Sequence, residues 1–227
     1  MTQQQTSETA QTHSAAPLVD ESRSGLQPES PLAERLSRFG LMSRQRPEEW
    51  QGEPALPSEL AAFYRTVGPE NMWIDSLGDP ILTFALDSLW GAQAGFRWNR
   101  RTGARLVDWD DEWFAVALHG DVPWIFDSRT SAVLLPDGDL GWEDREEEPV
   151  PVFENLAEAF TAIAVLGEVY AAYEADPFTD ELHVRPGLVA DVLTALEGVF
   201  PERHSRLGSA RDRARAVALA AGYPLEG

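Results

Sequence analysis

Between Trp73 and Leu135 the chain is cut into short apolar runs by Gly, Asp, Asn and Pro, and beyond Phe153 apolar residues recur at steps of three and four. A chain with those two textures in that order can bury both only by laying helices on an antiparallel sheet. The runs predict strands over Ile81–Leu86, Ala94–Trp98, Ala104–Trp109, Trp113–Leu118, Val122–Asp127 and Ala132–Leu135. Turn formers stand between them at Asn99–Gly103, His119–Asp121 and Ser128–Ser131, so neighbouring strands should pair as hairpins. Phe153, Leu156, Phe160, Ile163, Leu166 and Tyr173 mark one long helix suited to cover the sheet, ended by Asp176-Pro177.

Helices also precede the strands. Ser30-Pro31 offers a cap followed by proline at the first helical position, with Leu32, Leu36 and Phe39 on one face before Gly40. Leu56–Gly68 opens with Pro57 and closes on glycine, and Leu56, Leu60, Phe63, Tyr64 and Val67 form its apolar stripe. A brief helix is expected near Asp87–Trp90. After residue 177 two further helices are predicted, Pro186–Val199 and Ser209–Ala221, the last basic on its exposed side through Arg211, Arg213 and Arg215. Residues 1–29, rich in Gln, Ser, Thr and Ala without an apolar period, read as a disordered tail. The expectation is an α+β fold. Its antiparallel or mixed sheet of five or six strands is flanked by helices over 30–175, with a C-terminal helical appendage over 176–227.

Composition narrows the chemistry. Hydrophobic residues make up 43% of the 227, enough for a packed interior. No cysteine is present, which removes disulfides, thiolate nucleophiles and cysteine-held metals, and fits a reducing cytoplasm. No leader pattern and no run of 18 apolar residues is seen, so neither secretion by that route nor membrane spanning is expected. The formal charge is −20, and every basic residue is arginine. Such a field repels nucleic-acid and lipid phosphates and attracts a basic protein.

The negative charge is concentrated. Residues 108–148 hold 13 carboxylates against Arg129 and Arg145. Asp108, Asp110, Asp111 and Glu112 crowd one hairpin, Asp121 and Asp127 flank the next, and Glu146, Glu147 and Glu148 close an acidic loop over 136–151. Two readings stand: a solvated set of loops, or one acidic face that recognises a basic partner. Trp109, Trp113 and Trp124 alternate with these residues along the strands. Most such rings belong in a core, but Trp124 is included with the carboxylates as a candidate partner anchor.

No catalytic motif accompanies them. A nucleophile elbow, a phosphate loop and a dinucleotide fingerprint are all missing, and His13, His119, His183 and His204 lie scattered with none at i, i+4. Asp137-Gly138-Asp139-Leu140-Gly141 lacks the ligand spacing of a calcium loop. No cofactor or metal is expected. His119, beside Asp121, is read as a solvated turn histidine, with an acid–base pair as the alternative.

Three segments carry a resemblance: the Leu56–Gly68 helix, Gly78-Asp79-Pro80-Ile81 leading into a strand, and Trp113–Val133, a strand, an acidic turn at His119-Gly120-Asp121, a return strand ending in Asp127, and a further apolar strand. Over about residues 50–175 the chain resembles the SUKH superfamily, which includes bacterial toxin-immunity proteins and a fungal regulator of cell-wall synthesis. The resemblance implies a sheet packed by helices, no catalytic machinery, and a groove or face that binds a toxin domain stoichiometrically in the cytoplasm. A regulatory scaffold on the same fold and a hydrolase with an unrecognised acidic site are the alternatives. A toxin gene beside this one would favour immunity, and a pocket enclosing two close carboxylates would favour the enzyme.

Overall fold

A computed structural model describes residues 30–136, 148–173, 176–201 and 206–225. The tail over 1–29 and most of the acidic loop, including Glu146 and Glu147, lie outside them. The elements are α1 (Pro31–Leu36), α2 (Ser58–Thr66), β1 (Met72–Ile74), β2 (Ile81–Thr83), α3 (Leu86–Leu89), β3 (Trp113–His119), β4 (Val122–Asp127), β5 (Val133–Leu135), β6 (Val150–Phe153), α4 (Leu156–Tyr173), α5 (Pro186–Glu197) and α6 (Ala210–Ala220). The six strands form one sheet in chain order, every neighbouring pair antiparallel.

The α+β expectation holds, with helices before and after the strands, and the local signals account for much of it. Ser30 Oγ accepts from Ala33 N at 3.0 Å and Pro31 opens α1; Ser209 caps α6 in the same way, accepting from Asp212 N at 3.1 Å. Gly68 ends the α2 segment at φ +59, where a Cβ would meet the Ser43 carbonyl oxygen at 1.7 Å. Period-2 alternation runs through β3: Trp113 and Ala115 join a small cluster on the outer face, Phe114 and Val116 the main core on the inner face.

Elsewhere the strands depart from the reading. Segments 94–98 and 104–109 are not strands. They form a looped excursion whose backbone pairing is limited to single bridges, Ala94 to Trp98 and Trp98 to Arg105, after a 3₁₀ turn at Gly91–Gln93. Their apolar residues alternate because Phe96 and Trp109 turn inward to cap the outer face, with rings 5.3 Å apart. Strands β1 and β6 were not foreseen. Pro149, just before β6, and Pro151 within it resemble a loop, but an edge strand needs no donor on its open side, and Pro151 pairs with Leu134 there. Phe153 ends this strand instead of opening α4. Register shifts fall between Ala115 and Ala117 and between Val133 and Leu134 of the β5–β6 pair. Each lets two consecutive residues, Val116 with Ala117 and Val152 with Phe153, enter the same inner core.

The core lies between the sheet's inner face and α4. Phe160, Ile163 and Leu166 pack with Ile74, Trp124, Phe126 and Val133, and Phe160 meets the Phe63 ring at 4.6 Å. By length and composition α4 could cross a bilayer, with a mean hydropathy of 1.3; here its apolar residues from Leu156 to Leu166 are largely enclosed by the sheet and other helices. Gly167 permits close approach to β1, since a Cβ there would stand 2.4 Å from Ile74 Cγ2. Glu168 accepts from Arg35 Nε at 2.7 Å, fastening α1 across α4.

The C-terminal helices expected after residue 176 are present as α5 and α6, and they pack into the main core. Leu188, Val192, Leu196, Phe200, Val217 and Tyr223 belong to the same buried cluster as the sheet. Arg213, expected on an exposed basic face, is buried: its Nε donates to the Val152 carbonyl at 2.6 Å, Nη2 meets Glu158 at 2.5 Å, and the guanidinium lies 4.1 Å over the Phe200 ring. One side chain therefore ties α6 to β6, α4 and the segment after α5.

Two stability predictions follow from this packing. Phe160→Ala, removing a fully enclosed ring, should cost about 3–5 kcal/mol in urea unfolding; a loss under about 1 kcal/mol would mean the site collapses around the gap. Arg213→Met should cost about 3–5 kcal/mol by leaving the part-buried Glu158 carboxylate and the Val152 carbonyl without the guanidinium, and adding Glu158→Gln should recover part of it.

Candidate ligand-binding cleft

The first half of β3 has no strand beside it on the side away from β4, because β2 reaches only Ala117, Leu118 and His119. The looped excursion completes that edge with side chains. Gln93 Oε1 accepts from Ala115 N at 2.9 Å and Nε2 donates to Ala115 O at 3.0 Å, the two bonds a neighbouring strand would make. Two residues earlier, the Trp113 carbonyl accepts from Trp109 Nε1 at 3.0 Å and from Arg97 Nη2, which also donates to the Asp111 carbonyl at 3.0 Å.

Arg97 is the centre of what this builds. Only 7% exposed, its guanidinium lies 5.1 Å from the Phe114 ring centroid and 5.5 Å from that of Trp90. Burial lowers its pKa and the Asp111 carboxylate, 3.5 Å from Nη1, opposes that shift. Above it opens a cleft of about 840 Å³ lined by Trp90, Trp98, Arg105, Glu53, Asp111 and Glu112 among others. The indoles form a connected wall: Trp98 and Trp90 lie 4.6 Å apart, and Trp50 stands edge-on to Trp90 at 5.6 Å. Asp111 is shared between Arg97 and Arg105, and Glu112 accepts from the Ser128 hydroxyl at 2.5 Å.

The candidate residues from the sequence fall into several places. Asp111 and Glu112 line the cleft, with Asp108 and Asp110 in the same turn. Asp110 pairs with Arg129 at 2.9 Å and accepts from Glu112 N at 2.9 Å, so part of this charge is spent locally. Asp127 is buried and shapes the β4–β5 turn, accepting from Arg129 N at 2.9 Å and from the Thr130 hydroxyl at 3.0 Å. Trp124 offers no surface to a partner: it is 0% exposed and stacks on Phe153 at 5.1 Å. Its inward orientation follows from alternation with Ile125, which faces the outer cluster.

Consecutive turns of an antiparallel meander lie at opposite ends of the sheet. Trp113 pairs with Asp127 at one end and His119 with Val122 at the other, so Asp108–Glu112 and Asp127 are separated from exposed Asp121 by the length of the strands. A single acidic face embracing all of them is not formed among the described residues. Glu148 lines a second groove, of about 710 Å³, with Asp127, Arg129, Leu134 and Pro151 on the outer face of β4–β6.

His119 is not the solvated turn residue expected. It is buried, with Nε2 3.2 Å from the Leu77 carbonyl and Nδ1 3.3 Å from the Ala220 carbonyl at the end of α6. Asp121 is not among its bonded neighbours. Among the described residues no three His, Asp or Glu side chains converge as metal ligands.

Sequence reasoning missed the cleft's main components, Trp90, Arg97, Trp98, Arg105 and Glu53. A usable signal was the density of Trp and Arg over 90–105, types enriched where proteins bind one another. Reading 94–98 as a strand hid it. Because Arg97 closes two backbone carbonyls through Nη2 while its flat guanidinium lies between two rings with Nη1 towards Asp111, Arg97→Lys should not restore what Arg97→Met loses, about 2–4 kcal/mol by urea unfolding. Full recovery with lysine would show that only the charge matters.

Comparison of the chain with protein-family models, with curated proteins and with solved structures found no match.

Proposed function

We propose that this chain is a non-enzymatic, SUKH-like protein-binding domain of the immunity type, which neutralises a basic toxin domain in the cytoplasm by covering its active or substrate-binding surface. The observation that carries the proposal is the cleft at the start of β3, where the partly buried indoles of Trp90 and Trp98 stand beside arginine and carboxylate groups over the enclosed Arg97. Tryptophan and arginine held in place by their own framework lose little entropy on binding and dominate interface energetics.

Two further features support the reading. The segments that carry the resemblance, Leu56–Gly68, Gly78–Ile81 and Trp113–Val133, correspond to α2, to the turn entering β2, and to β3–β5, with β2 through β5 neighbours in one sheet. The net charge of −20 would accelerate encounter with a basic partner, and the exposed Asp111, Glu112 and Asp121 contribute to that field wherever they lie on the surface. Scattered charge steers at long range, and the cleft supplies contact at short range.

The test is co-expression with the product of the gene adjoining this one. The expected outcome is relief of that product's growth inhibition and a complex of fixed stoichiometry by light scattering. An adjoining product that neither binds nor is neutralised would overturn the immunity reading.

A further inference from the structure

The cleft's lining specifies what part of a partner it accepts. Three carboxylates, Glu53, Asp111 and Glu112, face two guanidiniums, those of Arg97 and Arg105, and both guanidiniums already share Asp111. Arg97 is further closed by carbonyls and by ring faces. An anionic group entering here would have to take Arg105 from Asp111 while approaching Glu53 and Glu112. A cationic group meets the opposite arrangement. Glu53 and Glu112 are exposed in the lining, Glu112 held in place by Ser128, and the indoles of Trp90 and Trp98, ring systems that attract cations, line the same cleft.

The way Arg97 sits shows that this framework suits a guanidinium. It lies against one face of the same aromatic cluster, between Trp90 and Phe114, with Asp111 beside it. Arg105, more than half exposed, reaches the same carboxylate from the cleft side. One planar cation on an indole with a carboxylate at its edge, that of Arg97, is therefore already built into this corner of the fold.

We propose that the cleft receives an arginine side chain of the partner protein, stacked on the Trp90–Trp98 wall with its guanidinium directed to Glu53 and Glu112. This rests on the protein-binding reading above and names the chemistry of its contact. Charge complementarity selects the occupant: the lining has a carboxylate in excess within a protein of charge −20. Arginine is favoured over lysine because its flat, weakly hydrated group both stacks and donates two parallel bonds.

The test uses the full chain and short synthetic peptides, hexa-arginine, hexa-lysine and hexa-glutamate, titrated by calorimetry at low and physiological salt. Hexa-arginine should bind more tightly than hexa-lysine, and hexa-glutamate should not bind. Trp98→Ala and the double variant Glu53→Gln/Glu112→Gln should each weaken hexa-arginine binding by about tenfold. Asp121→Asn, at the far end of the sheet, should change it less than about twofold because exposed charges at that distance are screened. Circular dichroism confirms the fold of each variant. Equal losses in the Asp121 variant would mean diffuse attraction to an acidic surface and would overturn the site, as would tighter binding of hexa-glutamate or unchanged affinity in the cleft variants. Arginine binding at the cleft with no neutralisation of an adjoining gene's product would leave the site standing and sink the immunity reading alone.

Discussion

Ala115 lies in the half of β3 that β2 does not reach, so only β4 pairs with it there, and its amide and carbonyl are held on the open side by the side-chain amide of Gln93. Much of the molecule depends on that pair of bonds. Strand β3 is buried along its whole length, so an unpaired amide and carbonyl in its middle would each cost about 1–3 kcal/mol. Gln93 removes that cost without a seventh strand. It thereby leaves residues 94–112 free to loop outward, bring Phe96 and Trp109 over the outer face, and set Arg97 against Trp90 and Phe114. The cleft exists because an edge is completed by side chains and not by backbone.

The same strand explains how the two faces are held. Inward residues join the large core under α4, and outward residues Trp113, Ala115 and Leu118 join the smaller cluster beneath the excursion. A sheet buried on both faces is normally flanked by regular elements on each side. Here the inner cover is helical and shared with the C-terminal helices, while the outer cover is irregular chain tied down by Gln93, Arg97 and Trp109. Irregular cover can leave Trp90 and Trp98 partly open to the cleft, where a second layer of helices would bury them.

Local signals were legible and distant ones were not. The caps of α1 and α6, the stripe of α2, the span of α4 and the β3–β4–β5 hairpins all rest on residues within a few positions of one another. Phe96 and Trp109 mimicked strands because alternation records a buried face and does not distinguish a strand from a loop pressed on a sheet. Strand β6 was hidden by Pro149 and Pro151, which only an edge position allows. His119 and Arg213 were read as solvated because their partners lie far along the chain: Ala220 is 101 residues from His119, and Val152 and Glu158 are 61 and 55 from Arg213. The acidic clusters were countable, but their division between opposite ends of the sheet follows from the meander, and pairing with Arg97, Arg105 and Arg129 follows from tertiary approach. Of the residues proposed from sequence, Asp111 and Glu112 reached the cleft; its aromatic wall did not emerge until 94–98 was placed outside the sheet.

Native-state hydrogen exchange at the Ala115 amide probes this construction most directly. That amide donates to Gln93 Oε1, so its protection depends on that side chain and on the closed excursion above it. Exchange as slow as that of the β3–β4 amides paired across the sheet, opening only with global unfolding, is the predicted result. Exchange at Ala115 far faster than at Phe114 or Phe126, in a protein otherwise fully protected, would contradict it, because the excursion would then open independently of the sheet and the cleft would lack its floor.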